Sequence, residues 1–263
     1  MRQARVLLPG HAEPLVVQPA PDGERVQLDG VDVPVPAGGW LPPMTGLVYG
    51  VILNDRASLD AYGPRMGQPP HGKPPVAPVL YIKPYNTHAG HRAVVTLPVD
   101  AAEVEVGATL AIVFGATCTR APEAGALDAV AGYTIAIDLS LPKADLYRPP
   151  IREKCFDGAC PIGPWVMGRA FVGDPGRLAI RTWINGELRH TRTTDDLLRP
   201  VAQLIAAVSE FMSFHAGDVL LTGYPRTVPT ARGGDTIAVE IDGIGRLECR
   251  LQDAPASGGG GRP

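Results

Sequence analysis

Several features that would assign a function directly are missing from this chain of 263 residues. No apolar run approaches the roughly 20 residues that cross a bilayer, and a formal net charge of −3 gives no broad basic or acidic surface for nucleic acid or membrane. Four cysteines are too few for a disulfide framework in a chain of this length, and the N-terminal segment lacks a signal-peptide core. These absences predict a soluble, reduced, cytoplasmic protein that acts on a small molecule or another protein.

Familiar catalytic motifs are also missing. The sequence has no Walker A loop, no dinucleotide-binding glycine motif, no G-x-S-x-G elbow and no H-E-x-x-H helix. Cys155 and Cys160 have no second cysteine pair for a structural zinc, so they are expected to be buried thiols. His88 and His91 are interpreted as solvated loop residues rather than metal ligands.

Glycine and proline are abundant instead. The 31 glycines and 28 prolines are about twice ordinary usage, which predicts a strand-rich α+β protein with many turns. Short alternating segments before a proline-rich stretch predict a small N-terminal β module with its linker over residues 1–45. The main core is then expected over residues 46–252. A glycine-rich tail over residues 253–263 has few side chains to bury and is predicted to be disordered.

Within the core, several patterns predict individual elements. Residues 47–53 form an apolar run typical of a buried strand, whereas residues 63–78 lack periodicity and predict a long loop. Asn185-Gly186 lies between two alternating segments and predicts a hairpin with a type I′ turn. Apolar residues at helical spacing predict one amphipathic helix over residues 197–212.

The clearest chemical signal is Asp138, which ends an apolar strand. A carboxylate in such a position is desolvated, so it requires a cation, a metal or several hydrogen bonds. Lys154 is the expected partner if no metal binds. Lys154 and Asp157 lie three residues apart. This spacing is as compatible with a simple ion pair on a turn as with a functional role for the two residues.

Several motifs in consistent order resemble one known family. They are Gly132-Tyr133 with Asp138-x-Ser140, Lys154-x-x-Asp157 with Pro161-x-Gly163-Pro164, Asn185-Gly186, Asp218-x-x-x-Thr222-Gly223-x-Pro225, and Gly234-Asp235 with Gly243-Ile244-Gly245. Over about residues 46–252 this set resembles the fumarylacetoacetate hydrolase family. The strings Tyr81-Ile82-Lys83-Pro84-x-Asn86-Thr87 and Lys154 to Gly163 resemble the branch that contains the N-terminal half, or separate subunit, of the isomerase/decarboxylase of 4-hydroxyphenylacetate degradation.

The resemblance implies a fold, a cofactor and site residues. It implies a mixed β-sandwich roll, usually dimeric, with Mg²⁺ or another divalent metal that chelates a 2-oxo-acid and stabilises its enolate. The expected catalytic residues are Lys154, Asp157 and Lys83, and Asp138 is the one expected metal ligand. The expected substrate-binding residues are Asn54, Arg56, Thr222 and Tyr224.

The sequence departs from the family pattern at the metal site. Gly107 and Thr109 stand where the family has a Glu-x-Glu pair, Ser58 stands where it has a catalytic histidine, and Tyr224 enters its Thr-Gly-Thr-Pro motif. One carboxylate holds Mg²⁺ weakly. We therefore expect weak or absent metal binding, with Gly107 and Thr109 facing an empty or water-filled space beside Asp138.

Three functional hypotheses follow from the resemblance. The first is an isomerase/decarboxylase subunit that converts 5-carboxymethyl-2-oxo-hex-3-ene-1,7-dioate to 2-hydroxyhepta-2,4-diene-1,7-dioate and its 2-oxo tautomer. The second is a non-catalytic partner of a metal-bearing paralogue, so that the assembly is either a homodimer or a heteromer. The third, an acylpyruvate-type C–C hydrolase, stands last because the histidine that would activate water is replaced by Ser58.

Overall fold

A computed structural model describes residues 1–69, 72–142 and 150–255, without the side chains of residues 63–65. Its helices are α1 (Arg56–Met66), α2 (Ile151–Lys154) and α3 (Val201–Ser209). Its strands are β1 (Arg2–Val6), β2 (Leu15–Pro19), β3 (Arg25–Leu28), β4 (Val31–Pro34), β5 (Trp40–Leu41), β6 (Val48–Ile52), β7 (Val79–Lys83), β8 (His88–Ala89), β9 (Ala93–Thr96), β10 (Val104–Phe114), β11 (Val130–Ser140), β12 (Cys160–Gly168), β13 (Ala179–Ile184), β14 (Glu187–Thr193), β15 (Val219–Leu221), β16 (Thr230–Ala231), β17 (Thr236–Ile241) and β18 (Gly245–Gln252).

Two β-sheets pack against each other around the main core. In the described residues the larger sheet follows the order β4-β3-β2-β1-β12-β11-β10-β15-β6-β7, and the smaller follows β14-β13-β17-β18-β9. The main core takes buried side chains from β10 and β11, from β13, β17 and β18, and from α3. Each sheet thus buries one apolar face against the other, as layered folds require. The predicted strand-rich α+β class is confirmed.

The central strands β10 and β11 are buried on both faces. Leu110, Ile135 and Ile137 point into the main core. Because side chains alternate along a strand, the neighbouring Ala111 and Ala136 point to the opposite face, where a second apolar cluster forms. Asp138 lies two residues after Ala136 and therefore shares this second face.

The second face is the inside of a roll. Strand β7 pairs with β6 at the end of the large sheet, and the chain then continues into β8, which pairs in parallel with β12. Since β12 is the neighbour of β11, this connection brings the β7 side chains over β11. Parallel and antiparallel pairs occur together, as in the predicted mixed roll.

The N-terminal strands attach to the core through β1, which pairs with β12. A small apolar cluster joins Trp40 of this region to Trp165 of β12. His91 is buried with its ring edge-on to Trp40 at 5.4 Å, so the expectation of a solvated His91 is wrong. The division near residue 45 stays a prediction, and residues 256–263 of the predicted disordered tail lie outside the described residues.

Two element predictions need correction and one is confirmed. Helix α1 occupies the start of the predicted 63–78 loop, and the predicted 197–212 helix is shortened to α3, which starts directly after Pro200. Proline is tolerated at such a boundary because backbone N–H groups at a helix start have no intrahelical partner, so the missing N–H of proline costs nothing there. The Asn185-Gly186 hairpin is confirmed, with φ of 54° and 80° at the two turn residues. No helix in the described residues is long and apolar enough to cross a membrane.

Candidate functional site

A buried carboxylate, Asp138, is the centre of the site. The Nζ of Lys83 lies 2.6 Å from its Oδ1, and the Nζ of Lys154 lies 2.9 Å from its Oδ2. The hydroxyl of Tyr81 also donates to Oδ2. All four side chains reach the inside of the roll, so the prediction that Lys154 pairs with Asp138 is confirmed.

Lys83 is fully enclosed by acceptors. Besides Asp138, its ammonium contacts the carbonyl oxygens of Leu139 at 3.2 Å, Lys154 at 2.7 Å and Ala159 at 3.2 Å. An ammonium has three N–H donors, so these four acceptors leave none for a bound molecule. Lys83 therefore ties β7 to β11 and to the end of α2, and it fixes the position of Asp138.

Lys154 lies at the last residue of α2, and among the residues that the structure describes its ammonium is hydrogen-bonded by side-chain oxygens alone. Its Nζ donates to Asp138, to the Oγ of Ser140 at 2.8 Å and to the hydroxyl of Tyr224 at 2.7 Å. The ammonium also lies 4.5 Å from the ring centre of Tyr81 and 5.1 Å from that of Tyr224, within the range of cation–π attraction. Lys154 is thus held between two phenol rings.

Two glycines make room for these rings. A Cβ at Gly50 would lie 2.1 Å from the Tyr81 ring, and a Cβ at Gly107 would lie 2.4 Å from the Tyr224 ring. Gly50 pairs with Tyr81 across β6 and β7, whereas Gly107 pairs with Asp138 across β10 and β11. The space beside Asp138 is therefore filled by the Tyr224 ring and the Lys154 ammonium.

The charges of the site stabilise one another. Burial alone would raise the pKa of Asp138, but the ammoniums of Lys154 and Lys83 outweigh it and lower that pKa to about 2. Burial alone would lower the pKa of Lys154, but the Asp138 carboxylate outweighs burial and raises it. Burial and the Asp138 charge raise the pKa values of Tyr81 and Tyr224. At neutral pH the site therefore holds an ionised carboxylate, protonated Lys154 and neutral phenols.

Comparison with known proteins identifies the family. Residues 47–252 match the profile of the fumarylacetoacetate (FAA) hydrolase C-terminal domain. This chain belongs to the fumarylacetoacetate hydrolase family. It is 39% identical over 205 residues to the 4-hydroxyphenylacetate degradation bifunctional isomerase/decarboxylase of Salmonella dublin, covering 78% of this chain and 47% of that protein. The chain thus spans about half the length of the isomerase/decarboxylases that it matches.

Solved structures of the family support the same assignment. The 5-carboxymethyl-2-hydroxymuconate delta-isomerase of Mycobacterium smegmatis superposes with a TM-score of 0.78 at 30% identity, covering 97% of this chain and all of that one. The fumarylpyruvate hydrolase of Pseudomonas aeruginosa, in complex with Mn²⁺ and pyruvate, superposes with a TM-score of 0.68 at 26% identity, covering 82% and 92%. The predicted family and fold are therefore confirmed, and family members bind a divalent metal.

The residues of this chain do not fit the metal of the fumarylacetoacetate hydrolase family. In the described residues no group of three or more His, Cys, Asp or Glu side chains could hold an ion. The Oγ of Thr109 lies 2.9 Å from the carbonyl of Gly223 and 3.3 Å from the Oγ of Thr222. This hydroxyl is therefore hydrogen-bonded to the 222–225 loop. The predicted empty space beside Asp138 is wrong, because Tyr224 and Lys154 occupy it.

The remaining residues of the predicted site lie apart from this centre or support it. The amide of Asn54 holds the Thr222 carbonyl at 3.0 Å and the Arg199 backbone, and Arg56 is exposed at the start of α1. Asp157 is exposed and accepts a hydrogen bond of 2.8 Å from Asn86. Direct roles for these residues in substrate binding or catalysis stay predictions.

Tyr81 and Ser140 are site residues that the sequence interpretation left without a role. Both could have been found from strand alternation, since Ser140 lies two residues after Asp138 and Tyr81 two residues before Lys83. Arg192 also escaped notice. Its buried guanidinium binds the Gly223 carbonyl at 2.9 Å and pairs with Asp196, and it thereby fixes the turn that carries Tyr224.

Proposed function

We propose that this chain carries out the isomerase/decarboxylase chemistry of its relatives on an unsaturated 2-oxo-diacid. The observation that carries this proposal is the Lys154 ammonium, which is protonated, buried and held by three oxygens beside a partly exposed phenol. A fixed positive charge of this kind stabilises an enolate oxygen. The relatives that support it are the isomerase/decarboxylase and the delta-isomerase.

One oxyanion serves both steps of this chemistry. In decarboxylation, the electron pair of the broken C–C bond moves through the conjugated chain to the 2-oxo oxygen as CO₂ leaves. In tautomerisation, the enol loses its O–H proton to give the same dienolate, which then takes a proton on carbon. A group that stabilises the dienolate therefore accelerates both reactions.

The geometry indicates how Lys154 is presented to the substrate. Asp138 and Ser140 hold two of its three donors from inside the roll. The third donor points to Tyr224, which is partly exposed at the rim of the site. A substrate oxygen replaces the Tyr224 hydroxyl on this donor, so the phenol competes with the substrate for Lys154. Lys83 and Asp138 position Lys154 and make no direct contact with the substrate.

The test is turnover by the purified chain. The 2-oxo-diacid that is decarboxylated and the dienol that is tautomerised are supplied separately, and both reactions are followed by ultraviolet absorbance. We expect Lys154→Met to lower kcat at least 100-fold. The matched control, Lys73→Met at an exposed loop position, is expected to leave kcat unchanged. Equal activity of the two variants would refute the role of Lys154.

The filled space over Gly107 favours a second candidate, a non-catalytic partner of a metal-bearing paralogue. In that case the chain has no turnover alone, and adding the paralogous subunit produces activity that Lys154→Met does not reduce. The acylpyruvate-type hydrolase has less support. Ser58 stands at the position of the catalytic histidine, and its Oγ already accepts the backbone N–H of Arg226 at 2.9 Å.

A further inference from the structure

The Lys154 ammonium is bound to Asp138 within a set of oxygens of the kind that a hard metal ion would need. Its three partners are all oxygens, at 2.7 to 2.9 Å. Hard divalent cations also prefer oxygen ligands. The ammonium therefore uses the carboxylate oxygen that would otherwise be the strongest ligand of such an ion.

Several neighbouring residues would oppose the replacement of the Lys154 ammonium by a metal ion. Lys83 remains 2.6 Å from Asp138, and its contacts with three backbone carbonyls hold it there. A divalent ion on the same carboxylate would be repelled by this buried charge. The two positions that would supply further carboxylates carry Gly107, which lies under the Tyr224 ring, and Thr109, whose hydroxyl serves the 222–225 loop.

The direct contacts of the two ammoniums favour an anionic ligand. Inside the roll both ammoniums contact Asp138, whereas the half-buried Glu105 interacts with Lys154 only at longer range, so direct contacts neutralise the ammoniums in part. Lys83 has no donor left, so Lys154 is the ammonium that can bind an anion. Its contact with Tyr224 is the one most open to exchange, because Asp138 and Ser140 lie in the β11 strand whereas Tyr224 lies in the loop between β15 and β16 and is partly exposed.

We infer that this site binds small oxo-acid anions directly on the Lys154 ammonium, without a divalent metal, and that the Tyr224 hydroxyl holds the anion's place when the site is free. The inference rests on the proposed function for its ligand class. In this site the cation that binds the anion is the Lys154 ammonium, whereas in the metal-bearing relatives it is a divalent metal ion. It also makes Tyr224 a residue that sets affinity, since its hydroxyl competes with the ligand.

The test measures binding rather than turnover. Oxalate, a stable mimic of a planar enolate with an adjacent carboxylate, is titrated calorimetrically into the chain in excess EDTA. We expect saturable binding that weakens at least 10-fold in Lys154→Met and strengthens several-fold in Tyr224→Phe, which removes the competing hydroxyl. Lys73→Met is the matched control and should bind as the unmodified chain does. Because Tyr224→Phe retains both ammoniums and Asp138, it remains informative if Lys154→Met fails to fold.

A parallel titration with Mn²⁺, followed by electron paramagnetic resonance, addresses the metal itself. We expect no site with a Kd below about 1 mM. The inference is overturned if Mn²⁺ binds at micromolar Kd, or if oxalate binds only when Mn²⁺ is added, or if Tyr224→Phe weakens oxalate binding. Metal-free oxalate binding without turnover would remove the proposed function and leave this inference standing. Metal-dependent turnover would support the proposed function and overturn this inference.

Discussion

Replacing Asp138 by asparagine tests the electrostatic account of the site most sharply. The substitution keeps the shape of the side chain but leaves the ammoniums of Lys83 and Lys154 buried without their carboxylate. At 2.6 and 2.9 Å, each pair gains about 6 kcal/mol of attraction at an effective dielectric constant of about 20. Removing one partner of a buried pair typically costs about 3–5 kcal/mol after relaxation. We expect Asp138→Asn to lower the free energy of unfolding by about this amount.

The assay is urea unfolding followed by tryptophan fluorescence at several pH values. In Asp138→Asn the Lys154 ammonium loses the carboxylate that raises its pKa while burial still lowers it, so the unfolded chain binds more protons than the folded one. Stability of this variant should therefore rise with pH above neutrality, because one ammonium can lose its proton. The double variant Asp138→Asn with Lys154→Met removes the repulsion, and it should be less destabilised than the sum of the two single variants.

Two results would refute this reasoning. One is an unfolding free energy of Asp138→Asn within about 0.5 kcal/mol of the unmodified chain, which is the range of ordinary surface substitutions. The other is strict additivity in the double variant, since residues in direct contact are expected to couple.

Three further predictions concern other parts of the molecule. Gly107→Ala should destabilise the fold by about 1–3 kcal/mol in urea unfolding, because its Cβ would meet the Tyr224 ring, and the same substitution should cost much less in a Tyr224→Ala background. Burial lowers the pKa of His91 to about 4, so the free energy of unfolding should fall by up to about 3 kcal/mol as pH drops from 6.5 to 4. In a thermal-shift series over this pH range, His91→Gln should lose this part of the pH dependence. Trp165→Phe should cost about 1–3 kcal/mol by urea unfolding, because its Nε1 donates to the buried Ile244 carbonyl at 2.7 Å; no change would contradict this.

Much of the fold could be predicted from local patterns. Hydrophobic patterning and turn chemistry depend on neighbouring residues alone. They were enough to predict the Asn185-Gly186 turn, the strand before Asn54 and the strand ending near Asp138. Helix α1 was missed because it contains Gly63 and Pro64 and has almost no apolar periodicity, so its sequence resembles a loop.

The site was predicted in part. The pairing of Asp138 with Lys154 followed from the physical need to compensate a buried charge, and the missing carboxylates at Gly107 and Thr109 could be seen in the sequence. The filling of the space by Tyr224 could not be seen. It depends on the closure of the roll and on the turn that holds Tyr224, both of which bring together residues far apart in the chain.

Crystals of the chain soaked in Mn²⁺ give the most direct measurement of the central claim, that an ammonium of the protein takes the place of the family's metal. Manganese is located by its anomalous scattering, with no dependence on turnover or on a chosen substrate. The account predicts no anomalous peak at Asp138 and a Lys154 Nζ at hydrogen-bond distance from Asp138, Ser140 and Tyr224. A manganese peak bonded to Asp138, with Lys154 displaced from it, would contradict the account.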